Sequence, residues 1–398
     1  MDKTRVLLKE ANDHLLFVTN RPPVVMERGR GMYIRDTEGR RYLDFVGGWA
    51  VNALGHSPSV LAGALSAQSR RLVNASPAFF NRPMIEFASL LCALSAMDRA
   101  WFANSGAEAN EAAVKIARKY GKLHRGGAFE IITTDNSFHG RTLAMMSATG
   151  KPAWKNLFEP KGGGFVHVPF NDLAAARAAV NDRTVAIMLE PVQGEGGAVP
   201  ADPEYLRGLR TLCDEKGVLL ILDEIQTGLG RTGRLFGFEH ANVEPDILTL
   251  GKGIGAGYPL AAVLAKERLN LFEPGEHGGT YGGNPLSCAV GLAVTREILR
   301  RDLAGNAERV GNYLRKRMDA ISPRWKLSGL RGQGLLLAVD LPTEQAKVLV
   351  DAAFRNGLLL NAPRPSTIRF IPALIVREKH IDEMVRLLER ALAEVYPG

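Results

Sequence analysis

Cysteine is scarce in this chain: Cys92, Cys213 and Cys288 are the only three among 398 residues. An odd, widely spaced set argues against a disulfide framework or a cysteine-based zinc site, and suits a reducing cytosol. No apolar run approaches the roughly 18 residues of a membrane span. The opening Met1-Asp2-Lys3-Thr4-Arg5 lacks the apolar core of a signal peptide. Low-complexity tracts and internal repeats are missing too, the 42 glycines and 21 prolines being scattered without a collagen-like period. Acidic residues are the minority, 42 against 50 lysines and arginines, for a net charge of +8. The basic clusters, Arg118-Lys119 to Arg125 and Arg315-Lys316-Arg317, are short and lie at helical spacing beside apolar residues. They read as solvated helix faces and not as a nucleic-acid stripe. A positive field also attracts small dicarboxylates. What remains, 46% hydrophobic and 23% charged residues, is an ordinary globular mix, long enough for one large or two ordinary domains.

Short apolar runs that end in polar or glycine-rich stretches recur through the middle of the chain. Residues 100–103 lead into Asn104-Ser105-Gly106, and 129–133 toward Ser137-Phe138-His139-Gly140. Residues 185–189 end at Glu190-Pro191, 218–222 at Asp223-Glu224, and 247–250 at Gly251-Lys252. Such strands, alternating with helix-length segments, predict an α/β fold whose mostly parallel sheet is covered on both faces. Ala109, Ala112, Ala113, Ile116, Ala117 and Tyr120 recur at helical spacing and predict a helix over 107–120. We expect a large α/β domain over 46–300 and a smaller α+β domain built from both termini, 1–45 and 301–398. In the smaller unit, 32–43 with its Asp36-Thr37-Glu38-Gly39 turn reads as a hairpin. Residues 334–340, 358–360 and 368–370 read as strands, 344–356 as a helix, and the last helix buries Ile381, Met384, Val385, Leu388, Leu392 and Val395.

In open parallel sheets, ligands bind beyond the carboxyl ends of the strands. Ser105, Phe138-His139, Glu190, Asp223 and Lys252 all fall at such ends, which points to one site. Ser105-Gly106-Ala107-Glu108 opens the predicted helix. Taken alone it reads first as a capping box. It reads second as an anion site, because glycine lets a phosphate approach free N–H groups at the positive helix end. Gly228-Leu229-Gly230-Arg231-Thr232-Gly233 matches the G-x-G-x-x-G of dinucleotide-binding dehydrogenases. Five residues part it from its strand, however, no helical pattern follows, and Asp246 precedes the next strand, so it is read as a loop. Lys252 is hemmed by Gly251, Gly253, Gly255 and Gly257. It is either a surface lysine in a flexible loop or an amine at a strand end that loses its charge and attacks a carbonyl. A P-loop does not explain it, since Gly253 replaces the required Ser or Thr. Asp223, after five apolar residues, needs a cationic or N–H partner. Lysine plus a buried aspartate suggests pyridoxal phosphate, with lysine on the aldehyde and carboxylate on the pyridinium nitrogen. No metal site is expected.

Asn104-Ser-Gly-Ala-Glu-Ala-Asn110, Ser137-Phe-His-Gly-Arg-Thr142, Glu190-Pro-Val-Gln-Gly-Glu-Gly-Gly197, Leu222-Asp-Glu-Ile-Gln-Thr-Gly228 and Gly279-Thr-Tyr-Gly-Gly-Asn-Pro285 resemble the class III, fold-type I aminotransferases. The resemblance runs over nearly the whole chain in the right order. Within the class, Phe45-Val-Gly-Gly-Trp-Ala-Val-Asn-Ala-Leu-Gly-His56, Phe170-Asn-Asp-Leu173 and Arg369-Phe-Ile-Pro372 are most similar to the acetylornithine aminotransferases. It implies that Lys252 carries pyridoxal phosphate as a Schiff base, that Asp223 holds the pyridine nitrogen, and that Gln226 holds the phenolic oxygen. Phe138 and Ile225 would stack on the two ring faces. Gly106 and Ala107 would cradle the phosphate by backbone N–H, with Ser105 nearby, and Thr280 would reach it from a neighbouring subunit, so a homodimer is implied. Arg141 would bind the substrate carboxylate far from the reacting amine, and Arg369 the adjacent one, paired with Glu195 when unused. His139 is read as structural.

Three positions bear on the substrate. Trp49 stands where a smaller aliphatic residue is expected, and Pro77 where relatives carry asparagine; the resemblance sets both at the substrate entrance. Gly48 lies where ornithine aminotransferases place a tyrosine that holds free ornithine, and its lack of a side chain favours an acylated donor. The expected activity is therefore a cytosolic transfer of the δ-amine of N-acetylornithine to 2-oxoglutarate. Other ω-amines (succinylornithine, ornithine, 4-aminobutyrate, succinyl-diaminopimelate) are the near alternatives. An aminomutase or racemase on the same scaffold needs no oxo-acid acceptor. A non-catalytic binding protein is disfavoured by the presence of both Lys252 and Asp223.

Overall fold

The computed structural model describes residues 3–397; Met1 and Asp2, where the N-terminal segment read above begins, lie outside the described residues, as does Gly398. Near the N-terminus β1 (Met26–Arg30), β2 (Tyr33–Asp36) and β3 (Arg41–Asp44) form an antiparallel meander. It contains the expected hairpin. In its turn, Asp36 Oδ1 accepts the backbone N–H groups of Glu38 (3.0 Å) and Arg40 (2.9 Å).

The central sheet is built from β4 (Arg99–Ala103), β5 (Glu130–Thr134), β6 (Phe165–Val168), β7 (Thr184–Leu189), β10 (Leu219–Asp223), β11 (Ile247–Leu250) and β12 (Ala261–Ala265). Between β7 and β10 a short ribbon, β8 (Val192–Gln193) with β9 (Val199–Pro200), stands apart. The seven strands lie in the order β4-β12-β11-β10-β7-β5-β6. All β-to-β pairings are parallel except that β12 runs against both its neighbours. Every residue of β7, β10, β11 and β12 is buried. That is why these segments read as continuous apolar runs and not as alternating ones. The sequence reading found β7, β10 and β11 but neither β6 nor β12; the alanine-rich Ala261–Ala265 has little intrinsic strand preference, and only its place between β4 and β11 makes it one.

Further along, β13 (Ser328–Gln333), β14 (Leu336–Asp340), β16 (Asn361–Arg364) and β17 (Thr367–Phe370) make a second antiparallel sheet in the order β13-β14-β17-β16. A two-residue strand, β15 (Leu358–Leu359), instead crosses to pair in parallel with β3. The helix Glu378–Val395 covers this region with Ile381, Met384, Val385, Leu388 and Leu392 inward, as the periodicity predicts, whereas Val395, also expected inside, is only half-buried at the last turn.

The basic clusters do more than face solvent. Arg125 donates to Lys216 O (2.7 Å) and Gly217 O (2.9 Å), Lys119 pairs with Glu276 at 2.6 Å, and Arg317 pairs with Asp382. Guanidinium and ammonium groups here tie helices to loops and to one another. The glycine-rich stretch 228–233 is a loop, as read. Its Arg231 is buried and donates to Leu335 O (3.0 Å) and Pro372 O (2.5 Å), and burial without a carboxylate partner pulls its pKa down to about 9.

Candidate active site

The carboxyl ends of β4, β5, β7, β10 and β11 open on one cavity of about 280 Å³. Gly106, Ala107, Phe138, Arg141, Asp223, Ile225, Gln226 and Lys252 line it, together with His139 and Glu190. A second cavity of about 530 Å³, lined by Lys151, Lys155, Lys161 and His167, adjoins this region. The smaller one is the chemical centre, because the buried titratable groups and unpaired donors collect there.

The helix Gly106–His124 begins at the cavity wall. Ser105 Oγ accepts Glu108 N–H at 3.3 Å, and Glu108 Oε2 accepts the N–H of Ser105 (3.0 Å) and Asn104 (2.7 Å). The capping box is therefore real, and it leaves Gly106 and Ala107 presenting the positive helix end to the cavity. Ser105 itself does not line the cavity. A side chain at position 106 would meet Ile225 Cδ1 at 2.7 Å, so glycine is what lets Ile225 lie against the helix end.

Asp223 ends β10 and is held from three sides. Its Oδ2 accepts from Asn110 Nδ2 (2.8 Å) and His139 Nδ1 (2.8 Å), and its Oδ1 from Ile225 N–H (3.1 Å). His139 is structural, as read, and what its ring fixes is the carboxylate expected to hold the cofactor. Asn110 went unread. It also donates to His139 O (2.7 Å) and accepts from Thr249 Oγ1 (2.8 Å). The signal was available, since Asn110 lies with Ala113, Val114 and Ala117 on the buried helix face, where a polar group must find partners.

Lys252 follows β11 with φ +45°, a left-handed conformation that costs a non-glycine residue roughly 1–3 kcal/mol. Burial pushes its ammonium below lysine's ordinary pKa, while Glu195, Asp223 and Glu190 pull it back. Glu190 moves the other way. Burial, then Asp223, raise its carboxyl well above the ordinary range, which favours its neutral form.

Behind Gln226 lies the pair expected from the resemblance. Arg369, on β17, is fully buried; its Nη2 donates to Glu195 Oε1 (2.7 Å) and Asn361 Oδ1 (2.6 Å), and its Nη1 to Gln226 Oε1 (3.3 Å). Burial tends to raise the Glu195 carboxyl, but Arg369, Lys151 and Lys252 together hold it below its usual value. On the opposite rim Arg141 is exposed and packs over Trp154 at 5.5 Å, and Trp154 meets Phe138 edge-on at 5.9 Å. Thr280 is exposed and lies outside this cavity, as do Trp49 and Pro77.

Pyridoxal phosphate fits this set of residues. His139 Nε2, Glu190 Oε2 and Gln226 Nε2 are buried and have no partner among the described residues. Three unpaired polar atoms around one cavity call for a polar ligand. The helix end suits a phosphate, Asp223 a ring cation, and Lys252 an aldehyde.

Comparison with known proteins agrees. The family profile "Aminotransferase class-III" matches residues 17–392. The acetylornithine aminotransferase of Ralstonia nicotianae is 50% identical over 385 residues, covering 95% of this chain and 96% of that one. Among solved structures, the ornithine aminotransferase of Toxoplasma gondii superposes with a TM-score of 0.94 at 33% identity, covering 99% of this chain and 96% of that one. The acetylornithine aminotransferase of Elizabethkingia anophelis gives 0.89 at 34% identity, with 99% and 100% covered. With helix end, aspartate, lysine and glycine-lined cavity arranged as described, this chain belongs to the class III aminotransferases, pyridoxal-phosphate-dependent transaminases of fold type I.

Proposed function

We propose that this enzyme transfers the δ-amine of N-acetylornithine to 2-oxoglutarate, giving N-acetylglutamate 5-semialdehyde and glutamate in arginine biosynthesis. The observation that carries the reading is the Glu195–Arg369 pair. Glutamate bears a carboxylate on the carbon that carries its reacting amine, whereas N-acetylornithine reacts at a bare CH₂ and carries its carboxylate at the far end. Arg141 serves the distal carboxylate of either donor. Arg369 has a substrate partner only with glutamate, and left unpaired it would draw in the α-carboxylate of the acylated donor in the wrong orientation. Glu195, 2.7 Å away, neutralises it in the δ-amine half-reaction. Gly48, at φ +63° and without a side chain, supports an acylated donor over free ornithine.

When bound, pyridoxal phosphate supplies an electron sink for the carbanion left by proton removal. The chain's own residues do the rest. Lys252 is the amine on which the cofactor is held and the base that moves the proton at the substrate carbon, its lowered pKa leaving more of it neutral. Asp223, gripped by His139 and Asn110, would be held in place against the ring nitrogen. Gln226 would hold the phenolic oxygen, Phe138 and Ile225 would cover the two ring faces, and Gly106 and Ala107, with Ser105 behind them, would hold the phosphate.

Thr280 completes the site from a second copy. Asn81 Nδ2 donates to Gly283 O at 2.9 Å, joining the exposed Phe79 and Phe80 to the loop that carries Thr280 and the exposed Tyr281. This apolar patch supports a homodimer. The domain division at 45/46 and 300/301 and a cytoplasmic location belong to the same reading; no helix among the described residues is long and apolar enough to cross a membrane. An amine-donor panel against 2-oxoglutarate tests the function. Glutamate release is expected to be fastest with N-acetylornithine. Faster release with ornithine or 4-aminobutyrate would reassign the donor, and product without glutamate would point to an isomerase.

A further inference from the structure

One cation at this site has no role in the reaction as proposed. Lys151 Nζ lies 3.6 Å from Glu195 Oε2, while Arg369 holds the other oxygen, Oε1. It also sits over two rings, 5.1 Å from the centroids of both Phe138 and Trp154. Each cation–π contact of this kind holds an ammonium in place without neutralising it. Arg141 packs on the same Trp154 at 5.5 Å. Glu195 thus has two oxygens and two cations: Oε1 on Arg369 at 2.7 Å, and Oε2 toward Lys151 at a looser 3.6 Å.

We propose that Lys151 is the second seat of Glu195, holding its carboxylate when a substrate carboxylate takes Arg369. The inference rests on the two-donor reading above and deepens it. A released Glu195 would otherwise be a partly buried carboxylate beside a second carboxyl, Glu190, with only Lys252 as a neighbouring cation besides the occupied Arg369. Lys252 is committed to the cofactor. Lys151 removes that penalty, because moving from one cation to the other requires the carboxylate to swing and not to lose its partner. The difference between 2.7 and 3.6 Å sets the resting state: Arg369 holds Glu195 until a competing carboxylate arrives. Phe138 and Trp154 keep Lys151 fixed near Oε2, so the lysine is a positioning residue for donor choice.

The test uses the cofactor-loaded enzyme with Lys151→Ala, Lys151→Arg, Glu195→Ala and the Lys151→Ala/Glu195→Ala double variant. Single-turnover rates are measured with glutamate and with N-acetylornithine, and the dissociation constant of glutarate, an unreactive dicarboxylate, by calorimetry. Lys151→Ala is expected to weaken glutarate and to raise the half-saturating glutamate concentration about tenfold, the equivalent of about 1.4 kcal/mol. The N-acetylornithine half-reaction should slow no more than about twofold, and Lys151→Arg should restore most of the loss. In the Glu195→Ala background, Lys151→Ala should add nothing. Equal slowing of both donors by Lys151→Ala, or a full effect without Glu195, would overturn the proposal. Failure of the switch itself reads separately, as equal slowing of both donors by Glu195→Ala alone.

Discussion

Replacing Asn110 by leucine keeps the branched outline of the side chain, at some cost in added bulk, and removes three hydrogen bonds at once. Asn110 is fully buried on the face that the helix Gly106–His124, which begins at the cavity, turns toward strands β10 and β11. Asp223 Oδ2, His139 O and the Thr249 hydroxyl each lose a partner at 2.7–2.8 Å. A buried polar group left unpaired costs about 1–3 kcal/mol, and more when charged. Asp223 keeps His139 and Ile225, and the Thr249 hydroxyl can turn, so about 4 kcal/mol is expected for Asn110→Leu. A chain of this length has an unfolding entropy of about 0.8 kcal/mol/K, which makes the loss a Tm drop of about 5 °C in the cofactor-free protein. Bound cofactor should be weakened as well, since Asp223 is no longer locked. Asn110→Asp separates charge from shape. Its carboxylate would stand 2.8 Å from Asp223 Oδ2, a repulsion of about 6 kcal/mol at an effective dielectric of 20. The new acid is therefore protonated in the folded state far above its unfolded pKa, and its stability deficit should grow as pH rises from about 4 toward neutrality. Differential scanning calorimetry at several pH values measures both. A Tm within about 1 °C of the parent for Asn110→Leu, or a pH-independent deficit for Asn110→Asp, would refute this account of the network.

Borohydride reduction of the holoenzyme is expected to fix the cofactor on Lys252, and Lys252→Ala to abolish turnover; a mass-spectrometric adduct on another lysine would defeat the assignment. Glu195→Ala should impair the N-acetylornithine half-reaction far more than the glutamate half-reaction, by about 30-fold or more if exposing a buried guanidinium costs at least 2 kcal/mol. Burial pushes Glu224 up to about 7 against the pull of the Gly237 and Phe238 N–H groups and the Thr227 hydroxyl. A carboxyl whose folded pKa is raised lends stability that is full below about 4.3 and is lost as pH climbs through 7. Glu224→Gln should therefore flatten the fall of Tm between about pH 5 and 7, and parallel slopes in both proteins would contradict it.

The strand ends were legible because β7, β10 and β11 are buried on both faces and so spell unbroken apolar runs that stop at Glu190, Asp223 and Gly251. Lys252 and Asp223 followed from their places at those ends. The partners of Asp223 did not. His139 and Asn110 lie 84 and 113 residues before it, and only the sheet order brings them together. Glu195 and Arg369 are 174 residues apart; periodicity and spacing say nothing of such a pair, and the resemblance alone proposed it. Lys151 carried no signal at all, since a lysine beside proline after a glycine looks like any surface turn. The strand β12 was hidden by composition, and β6, at the sheet edge and only partly covered with His167 exposed, by the lack of an unbroken apolar run.

The parallel pairing of β15 with β3 sets a clock on folding. Leu43 N–H bonds Gly357 O (2.8 Å), Phe45 N–H bonds Leu359 O (3.1 Å), and Ile371 N–H bonds Phe45 O (2.9 Å). The hairpin that leaves the ribosome early must therefore wait for a strand made about 300 residues later. At roughly 5–20 residues per second, that is a delay of about a quarter of a minute to a minute. Throughout it the inner edge of β3 is an unpaired strand, open to any other nascent chain on the same message. Its brevity limits the hazard: Arg41–Asp44 is four residues, bounded by charge at both ends, with Arg40 beside it. The same geometry that closes the small sheet thus makes the newest part of the polypeptide the one that secures the oldest.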